Sequence, residues 1–506
     1  MINKLKTFYN VYPITFILLI ALIPRIIAAI FSKGYGMHDD HFLIIEASQS
    51  WVDGYDYNAW LPWTPGNNGP SGHSLFYVGL HFVFFKILDF MGFQNPQFNM
   101  FLVRLIHALF SLSVVYYGYR IADKMGGKII AFHVSLILGL AWFIPMLSVR
   151  NLVEVVCVPF LIYAVYILYL NEKNDNWWIY LIAGLISGVA FSIRFQTLFF
   201  LAGMGLSLMF TGKFKGSIIF GLGIIVSIVI IQSVPDYFLW KKPFAEFTEY
   251  VSYNMENATT YFNKPWYMYL ILFSGILIPP LSLFVLFGFF RSYKNNLIVF
   301  LPALIFLLFH SYFPNKQERF IYPAIPFIII LGYFGWYTFK ENSTFWKRNS
   351  KLYACLISFV LILNFIALPV VSTAYSKKSR VEVMDFLRKR GDVKGIVIND
   401  SNHENFTLTP RYYLDKWDFP EHGITSTNTP EMLRNYFNRD TNSVFPNYMI
   451  FYESENIYTR IVETKKYFPH LTYITTIEPG FLDNLLHKLN RHNKNVVCYV
   501  YKLNRK

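Results

Sequence analysis

Cysteine is nearly absent from this chain of 506 residues, and charged side chains are scarce. The three cysteines, Cys157, Cys355 and Cys498, are far apart, and two of them lie within apolar runs. This distribution gives no disulfide framework and no cysteine-based metal centre. Charged residues make up 15% of the chain, whereas 54% is hydrophobic and 19% aromatic, which is too apolar for one soluble globule. The composition therefore predicts a polytopic membrane protein.

The charge that is present has an excess of positive sign. Lys and Arg number 45 against 31 Asp and Glu, a formal net charge of +14. Many of these cations lie in short connectors between apolar runs, where positive residues orient membrane proteins, so we expect no nucleic acid partner. The first apolar run, 11–31, is longer than a signal-peptide core and lacks a following small-residue cleavage site. It is predicted to be a retained anchor.

Hydropathy divides most of the chain into stretches long enough to cross a bilayer. About 11 transmembrane helices are expected, and Pro279-Pro280 predicts a break within one of them. The predicted spans are 11–31, 97–121, 128–148, 151–170, 177–194, 195–211, 216–234, 266–290, 297–313, 320–339 and 352–374.

Basic residues recur in alternate connectors, which places those connectors in the cytoplasm. The opposite face then carries the first external loop, 32–96, the motif at 314–319 and everything after about residue 375. We therefore predict a transmembrane domain, 1–374, and an extramembrane C-terminal domain, 375–506. Such a distribution is typical of an enzyme that works at the outer, or lumenal, membrane face.

The tail, 375–506, differs in character from the rest of the chain. Strand-like runs alternate with helix-like segments, which predicts a small α/β domain. It contains no GxGxxG motif or P-loop, so a structural or acceptor-positioning role is expected. The predicted strands are Gly395–Ile398, Tyr448–Tyr452, Tyr473–Ile477 and Asn495–Leu503, and the predicted helices are Arg380–Arg390, Pro430–Asn438 and Ile457–Tyr467.

Two adjacent carboxylates, Asp39 and Asp40, follow the first span almost directly. At a membrane edge, such a pair can accept a proton from a sugar hydroxyl or coordinate a cation. His38 and His41 flank the pair, but four neighbouring side chains cannot all point at one ion, so no metal is expected. The alternative is a solvated loop in which one aspartate caps a helix.

A polar loop between two apolar runs contains Lys316, Glu318 and Arg319. Charges at a membrane face are costly unless they reach water, form pairs or serve a site. A Lys and an Arg in a loop restricted by prolines can hold a phosphate at the headgroup level, with Glu318 orienting one of the cations. The alternative is that these are snorkelling charges at the flank of a span.

Other polar residues also fall near the ends of spans, on the same proposed face. Each alone is more typical of a capping or snorkelling residue than of a catalytic one. Their convergence predicts a groove that suits transfer from a phosphate-linked lipid. The further candidates for substrate binding are Asn151, Glu154, Arg194, Asp236, Asn254 and Trp266.

The order of these motifs resembles the GT-C superfamily of glycosyltransferases, and more narrowly glycosyltransferase family 22, the polyprenyl-phosphate-mannose-dependent mannosyltransferases. The acidic motif of that family's first external loop corresponds to Met37–Phe42, and its Asn-x-x-Glu pattern to Asn151 and Glu154. Its Pro-Trp-Tyr-x-Tyr and Lys-x-Glu-Arg-Phe motifs correspond to Pro265–Tyr269 and Lys316–Phe320.

The chain departs from the family pattern at several positions. Asp40 stands where the family has Glu, and Asn315 stands where it has His. The first loop lacks a clear Trp-Glu-Trp or Arg-Ser pattern; Trp60, Trp63 and Ser71 are the nearest residues. Since this region is expected to meet the acceptor, the identity of the acceptor is the least transferable part of the resemblance.

The resemblance implies a GT-C fold and an inverting glycosyltransferase that needs no metal or other cofactor. Asp39 or Asp40 would deprotonate an acceptor hydroxyl, which attacks the anomeric carbon of a polyprenyl-phosphate sugar, expected to be mannose. Lys316, Arg319 and Arg194 would stabilise the leaving phosphate. The expected partners are this donor, a lipid-linked or glycan acceptor, and membrane lipids.

Two other functions are compatible with a polytopic membrane protein. A transporter or flippase for lipid-linked sugars predicts internal repeats and charges near the bilayer midplane, whereas the chain has no similar halves and its charges lie mostly at span ends. A lipid-linked oligosaccharide polymerase or ligase would use pyrophosphate-linked donors. The richness in Ile, Phe, Lys and Asn favours a bacterial inner membrane over an endoplasmic reticulum.

Overall fold

A computed structural model describes residues 11–67, 69–260, 263–294, 296–440, 443–490 and 495–504. The chain forms two compact units. The first, here the membrane unit, runs up to Ile30 and adds Ala59–Leu80 and Leu102–Thr373. The second, here the loop–tail unit, comprises Phe31–Asn58, His81–Phe101 and the tail from Ala374 onward.

Among the described residues, six helices are long and apolar enough to cross a membrane, and five shorter apolar helices accompany them. They correspond one to one with the predicted spans, and the polytopic helical class is confirmed. The long helices are Pro13–Phe31, Pro96–Gly126, Val153–Asn171, Phe214–Trp240, Glu318–Asn342 and Ser350–Ser372, and the shorter ones are Lys128–Leu140, Trp177–Ile193, Phe195–Phe210, Leu281–Arg291 and Leu297–Tyr312. Other helices are Leu75–Phe90, Ala245–Glu256 and Met268–Ile276.

Two of the predicted spans are interrupted. The span predicted at 266–290 divides into Met268–Ile276 and Leu281–Arg291, with Pro279-Pro280 between them, as expected. In the span predicted at 128–148, the helix ends at Leu140 instead. The Asn364 side chain forms hydrogen bonds with the backbone groups at this end. Its Nδ2 donates to the Leu140 carbonyl at 2.9 Å, and its Oδ1 accepts from the backbone N–H of Trp142 at 2.8 Å.

This interruption supplies partners for a buried charge, Arg25, in the first helix. Arg25 is 1% exposed, and its Nη1 donates to the Gly139 carbonyl at 2.8 Å. Its Nε donates to Ser111 Oγ at 2.9 Å. A charged group within a span must find such partners, since hydrocarbon offers none.

A glycine allows close packing elsewhere in the membrane unit. A Cβ atom at Gly184 would lie 2.2 Å from the Phe220 carbonyl oxygen of the facing helix. Only a residue without a side chain fits there, as is common where membrane helices approach closely.

The tail contains a mixed five-stranded sheet, which confirms the predicted α/β class. Its strands are β1 (Ile396–Asn399), β2 (Glu421–Ile424), β3 (Tyr448–Tyr452), β4 (Leu471–Ile477) and β5 (Cys498–Leu503). The order is β2-β1-β3-β5-β4, in which β1 is parallel to β2 and β3, and β5 is antiparallel to β3 and β4. The helices of the tail are Lys378–Arg390, Pro430–Arg439, Ile457–Tyr467 and Phe481–Leu489.

The sheet packs in an apolar core and has a buried free thiol at one strand end. Val397, Met449 and Phe451 pack against Leu433 and Phe437 of the Pro430–Arg439 helix. Cys498 at the start of β5 is buried and forms no disulfide. The domain is therefore stabilised by packing between strands and helices.

Candidate functional site

A buried cluster of opposite charges, here the arginine cluster, lies in the membrane unit and consists of Glu154, Arg194 and Arg319. Glu154 Oε1 accepts a hydrogen bond from Arg194 Nη1 at 2.8 Å and lies 3.4 Å from Arg319 Nε. Glu154 is fully buried and Arg194 is 9% exposed. Two guanidinium groups therefore share one carboxylate, which leaves the cluster with a net positive charge.

Each member of the cluster occupies a helix end or an irregular turn. Glu154 lies in the short helix Val153–Val156, and Arg194 has an extended backbone directly after the helix Trp177–Ile193. Arg319 lies in the 3-10 segment Glu318–Ala324. The structure thus brings together three residues that the sequence predicted separately as binding residues.

Two glutamines and one aromatic ring support the arginines. Arg194 Nη2 donates to Gln196 Oε1, and Arg319 Nε donates to Gln317 Oε1 at 3.0 Å. The Phe320 ring lies 5.1 Å from the Cζ of Arg194 and 5.6 Å from that of Arg319, within cation–π range. Sequence reasoning missed both glutamines, although each lies two positions from its arginine.

The arginine cluster retains hydrogen-bonding capacity. Arg194 Nε and Glu154 Oε2 are buried and have no hydrogen-bond partner among the described residues. A buried donor without an acceptor is costly. A ligand oxygen that accepted from Arg194 would remove that cost, and the net positive charge favours an anionic ligand.

The two other charged residues of the predicted phosphate loop make different contacts. Glu318 Oε1 lies 2.9 Å from Lys264 Nζ, so its ion-pair partner is this lysine of the preceding loop. Arg319 Nε contacts the Glu154 carboxylate instead of that of Glu318. Lys316 is 2% exposed and its Nζ donates to the Phe313 carbonyl, and burial lowers the pKa of its ammonium.

The aromatic motif packs beside this loop. Tyr269 is buried, and its hydroxyl donates to the Gln317 carbonyl at 3.1 Å. Trp266 of the same motif is 66% exposed. The Asn254 amide donates to the Tyr250 carbonyl within its own helix. The motif therefore supports the loop through Tyr269, and the predicted binding roles of Trp266 and Asn254 stay predictions.

Asp236 belongs to a second carboxylate group of the membrane unit. It is 1% exposed, and it accepts hydrogen bonds from Gln232 Nε2 at 2.9 Å and from the Glu246 backbone N–H at 3.2 Å. The Glu246 carboxylate in turn accepts from Ser71 Oγ and Gly72 N, each at 2.9 Å. Burial raises the pKa of Glu246 to about 7. These contacts fasten residues 71–72 to the helix Ala245–Glu256, and sequence reasoning missed Glu246.

The predicted acidic pair forms a tight turn in the loop–tail unit. Asp40 is 2% exposed, and its carboxylate accepts from Met37 N at 2.8 Å and from Gly36 N at 3.2 Å. Asp39 is only partly buried. The two carboxylates therefore differ, because Asp40 is held by the backbone of its own turn.

Aromatic stacking around His41, the residue that follows Asp40, supports this turn. The His41 ring stacks on Tyr35 at 4.4 Å and on Tyr413 at 5.4 Å between centroids. Its Nε2 lies 3.2 Å from Glu46 Oε1, and both side chains are fully buried. Burial lowers the pKa of His41 to about 3 and raises that of Glu46 well above its usual value. Within the described residues, no group of three or more His, Cys, Asp and Glu could hold a metal ion.

The start of the tail fixes the same turn. Gly34 and Ser376 form a parallel β-bridge, and Lys377 Nζ donates to the Gly36 carbonyl. The same ammonium lies 4.3 Å from the centre of the Tyr35 ring. Gly34 has a φ of +74°, and a Cβ there would lie 1.8 Å from the Ser376 carbonyl oxygen, so this position requires glycine. Sequence reasoning did not predict Lys377.

Residues 15–406 match the model of the Alg9-like mannosyltransferase family. This match confirms the family predicted from the motifs. GPI alpha-1,2-mannosyltransferase 3 of Mus musculus is 23% identical over 74% of this chain and 66% of its own length. GPI mannosyltransferase 3 of Yarrowia lipolytica is 22% identical over 74% and 70%, and that of Saccharomyces cerevisiae is 26% identical over 33% and 28%. The alignment with the Saccharomyces cerevisiae protein thus spans less than a third of that relative.

Solved structures share the fold at low sequence identity. ArnT from Cupriavidus metallidurans, bound to undecaprenyl phosphate, superposes with a TM-score of 0.60 at 12% identity, over 96% of this chain and 97% of that one. The oligosaccharyltransferase AglB from Archaeoglobus fulgidus, in complex with an inhibitory peptide and a dolichol-phosphate, gives 0.51 at 10% identity, over 93% and 74%. These similarities confirm the predicted GT-C fold.

Proposed function

Since this chain belongs to the Alg9-like mannosyltransferase family, we propose that it transfers mannose from a polyprenyl-phosphate donor to a hydroxyl group of a glycan acceptor. The observation that carries the proposal is the arginine cluster, in which two guanidinium groups share the Glu154 carboxylate. Its net positive charge and the buried Nε of Arg194 suit a phosphate. The chain is a multi-pass membrane protein, which suits a lipid-linked donor.

The arginine cluster would act on the leaving group. When the bond between the anomeric carbon and the phosphate oxygen breaks, its electrons pass to the phosphate, which becomes a monoester on the lipid. Preorganised cations at that position stabilise the developing charge without reorganisation. The structures of ArnT and AglB contain undecaprenyl phosphate and dolichol-phosphate, which supports a lipid phosphate as the ligand. Lys316 would add to the positive potential of the loop.

An apolar cleft in the membrane unit suits the isoprenoid chain of the donor. The cleft has a volume of about 770 Å³ and is lined almost entirely by apolar side chains. The lining residues come from the helices Pro13–Phe31, Lys128–Leu140 and Ser350–Ser372, and from the break at 276–281. A polyprenyl chain in the bilayer would exchange contacts with lipid for contacts with the cleft, so close packing would favour its binding there.

Asp39 would act as the general base. It would take the proton of the acceptor hydroxyl, whose oxygen attacks the anomeric carbon from the face opposite the phosphate and inverts its configuration. Asp40 would orient this turn, because both of its oxygens accept backbone N–H groups. Asp236 is hydrogen-bonded to Gln232 and to the backbone of residue 246, which favours a supporting role.

The proposal also covers the acceptor, the membrane face on which transfer occurs, and the cellular location. A lipid-linked glycan is the acceptor that we favour, in line with the GPI mannosyltransferase relatives. We assign transfer to the extracytoplasmic face, with a transmembrane domain at 1–374 and a C-terminal domain at 375–506. The composition favours a bacterial cell membrane over the endoplasmic reticulum.

Turnover with defined donors tests the proposal. The full chain in lipid nanodiscs should transfer mannose from polyprenyl-phosphate mannose but not from a pyrophosphate-linked sugar. Asp39→Asn should lower kcat by about a hundred- to ten-thousand-fold, because the proton acceptor is lost. Asp418→Asn, an exposed aspartate of the tail, is the matched control and should retain activity.

Three outcomes would contradict the proposal. Movement of the lipid-linked sugar across the bilayer without transfer would indicate a flippase. Use of the pyrophosphate donor alone would indicate a polymerase or ligase. Normal turnover of Asp39→Asn would remove this residue as the base.

A further inference from the structure

A polar cavity of about 240 Å³ lies wholly within the loop–tail unit, in addition to the acidic turn. Carboxylates, three amides and aromatic residues line it together, and it is smaller than the usual pocket for a drug-sized ligand. Its lining residues include Asp53, Asp89, Asp415, Asn99, Tyr412 and Phe85.

The walls of this cavity are fixed by contacts within the unit. The Asp53 carboxylate accepts from Trp417 Nε1 at 2.6 Å and from Gln49 Nε2 at 3.1 Å. The Tyr412 hydroxyl donates to the Pro96 carbonyl at 3.3 Å. The cavity is therefore formed before any ligand arrives, which reduces the entropic cost of binding.

Asn99 provides an unused acceptor in the wall. It is 6% exposed, and its Nδ2 donates to the Phe93 carbonyl at 3.0 Å. Its Oδ1 is buried and accepts no hydrogen bond from the described residues. A buried acceptor of this kind needs a donor, and the hydroxyl groups of a sugar are donors.

The charges of the cavity select against anions. Asp53, Asp89 and Asp415 line it, and Lys86 forms an exposed pair with Asp89 at 3.3 Å. Burial and the neighbouring Asp53 raise the pKa of Asp415, so the carboxylates repel one another. Donors such as hydroxyl or ammonium groups would relieve this repulsion, whereas a phosphate or carboxylate would add to it.

The same residues do not form a metal site. Within the described residues, no three His, Cys, Asp or Glu side chains converge closely enough to hold an ion. The volume of about 240 Å³ suits a single ring. Phe85 and Tyr412 close the cavity from the side of the protein core, since they are only 1% and 2% exposed, and the accessible lining is mostly polar.

We propose that this cavity binds a neutral or amine-bearing sugar ring of the acceptor glycan, through Asp415, Asp89 and the Oδ1 of Asn99. Its assignment to the acceptor rests on the proposed function. It deepens that function by defining the acceptor as a glycan whose bound ring carries no acidic group.

Binding of soluble glycosides tests the cavity without turnover. Methyl mannoside and methyl glucosaminide should bind to the full chain in nanodiscs, as measured by saturation-transfer NMR, and methyl glucuronide should not. Asp415→Asn and Asp89→Asn should each weaken binding about three- to tenfold, which is the loss expected for one hydrogen bond. Asn tolerates the φ of +58° at position 415, and Asp89 is exposed enough for its variant to fold. Asp418→Asn is the matched control and should bind as the wild type does.

Kinetics separate this inference from the proposed function. The two cavity variants should raise the KM for the acceptor by a similar factor and leave the KM for the donor unchanged. Unchanged acceptor KM in an active enzyme would overturn the cavity site and leave the transferase proposal intact. If the chain transferred no sugar from any donor but still bound sugars through the cavity, the transferase proposal would be overturned and the cavity site would stand. Equal binding of the glucuronide, or binding lost on chelation of divalent cations, would also overturn the inference.

Discussion

Glu154 and Asp40 are both buried carboxylates, but they obtain their partners in opposite ways. Glu154 is held by the side chains of Arg194 and Arg319, which are distant in sequence. Asp40 is held by backbone N–H groups three and four residues before it. The first carboxylate balances charge and the second fixes the shape of a turn. Changes at the two positions should therefore have different consequences.

The largest effect is expected when Glu154 loses its charge. Glu154→Gln removes the carboxylate charge that Arg194 and Arg319 both contact, and breaking a typical buried pair in this way costs about 3–5 kcal/mol. The free energy of unfolding should fall, and the rise in Tm on addition of polyprenyl phosphate should become larger than in the wild type, because the phosphate replaces the lost charge. Thermal unfolding with and without the lipid measures both. A smaller ligand effect in the variant would show that the cluster does not bind the phosphate.

The corresponding change in the turn should be smaller and unaffected by the ligand. Asp40→Asn keeps one acceptor oxygen for one weaker hydrogen bond and places its NH2 group against the other backbone N–H, which should cost about 1.5–3 kcal/mol of stability. The Tm should fall by the same amount in the presence and absence of polyprenyl phosphate. A ligand-dependent difference at Asp40 would contradict the distinction between the two carboxylates.

Arg319→Lys tests the geometry of the arginine cluster, since the charge is kept. A lysine cannot present two parallel donors to a phosphate. We expect the KM for the donor to rise about tenfold, with the KM for the acceptor and the Tm nearly unchanged. Separate saturation curves for donor and acceptor measure this. An equal rise in the KM for both substrates, or no rise in either, would indicate that the charges of the loop only snorkel at the flank of a span.

The smallest effect is expected at Glu318, which serves as a control for Glu154. Its pair with Lys264 is more than half exposed on the carboxylate side, and exposed pairs contribute about 0–1 kcal/mol. Glu318→Gln should therefore change neither the Tm nor the donor KM by a measurable amount. A loss comparable to that of Glu154→Gln would show that the loop needs this carboxylate directly.

Much of the fold follows from local patterns in the sequence. The apolar runs gave the spans, and Pro279-Pro280 gave the helix break. Strand β3 was predicted at its observed bounds because Tyr448–Tyr452 is a continuous apolar run. Strand β2 was missed because Glu421–Ile424 has four residues and includes polar residues and a glycine, which gives no detectable alternation.

The sequence did not indicate which charged side chains of the site pair with one another. Arg319 and Glu154 are 165 positions apart, and no local pattern indicates that they meet. Glu318 was expected to orient a cation of its own loop, whereas its partner is Lys264. Asp40 is different, because the partners that close its turn are neighbours in the chain. Sequence reasoning identified residues with functional chemistry, and the structure supplied their pairing.

The burial of His41 and Glu46 also determines how protons couple to the stability of the loop–tail unit. His41 has a pKa of about 3 when folded and 6.5 when unfolded, so below pH 6.5 unfolding takes up a proton and stability decreases as the pH falls. Glu46 has a pKa well above 4.5 when folded, so above pH 4.5 unfolding releases a proton and stability decreases as the pH rises. Between these two values the uptake and the release cancel. The pair therefore makes the stability of this unit nearly independent of pH in mildly acidic surroundings, with losses on either side.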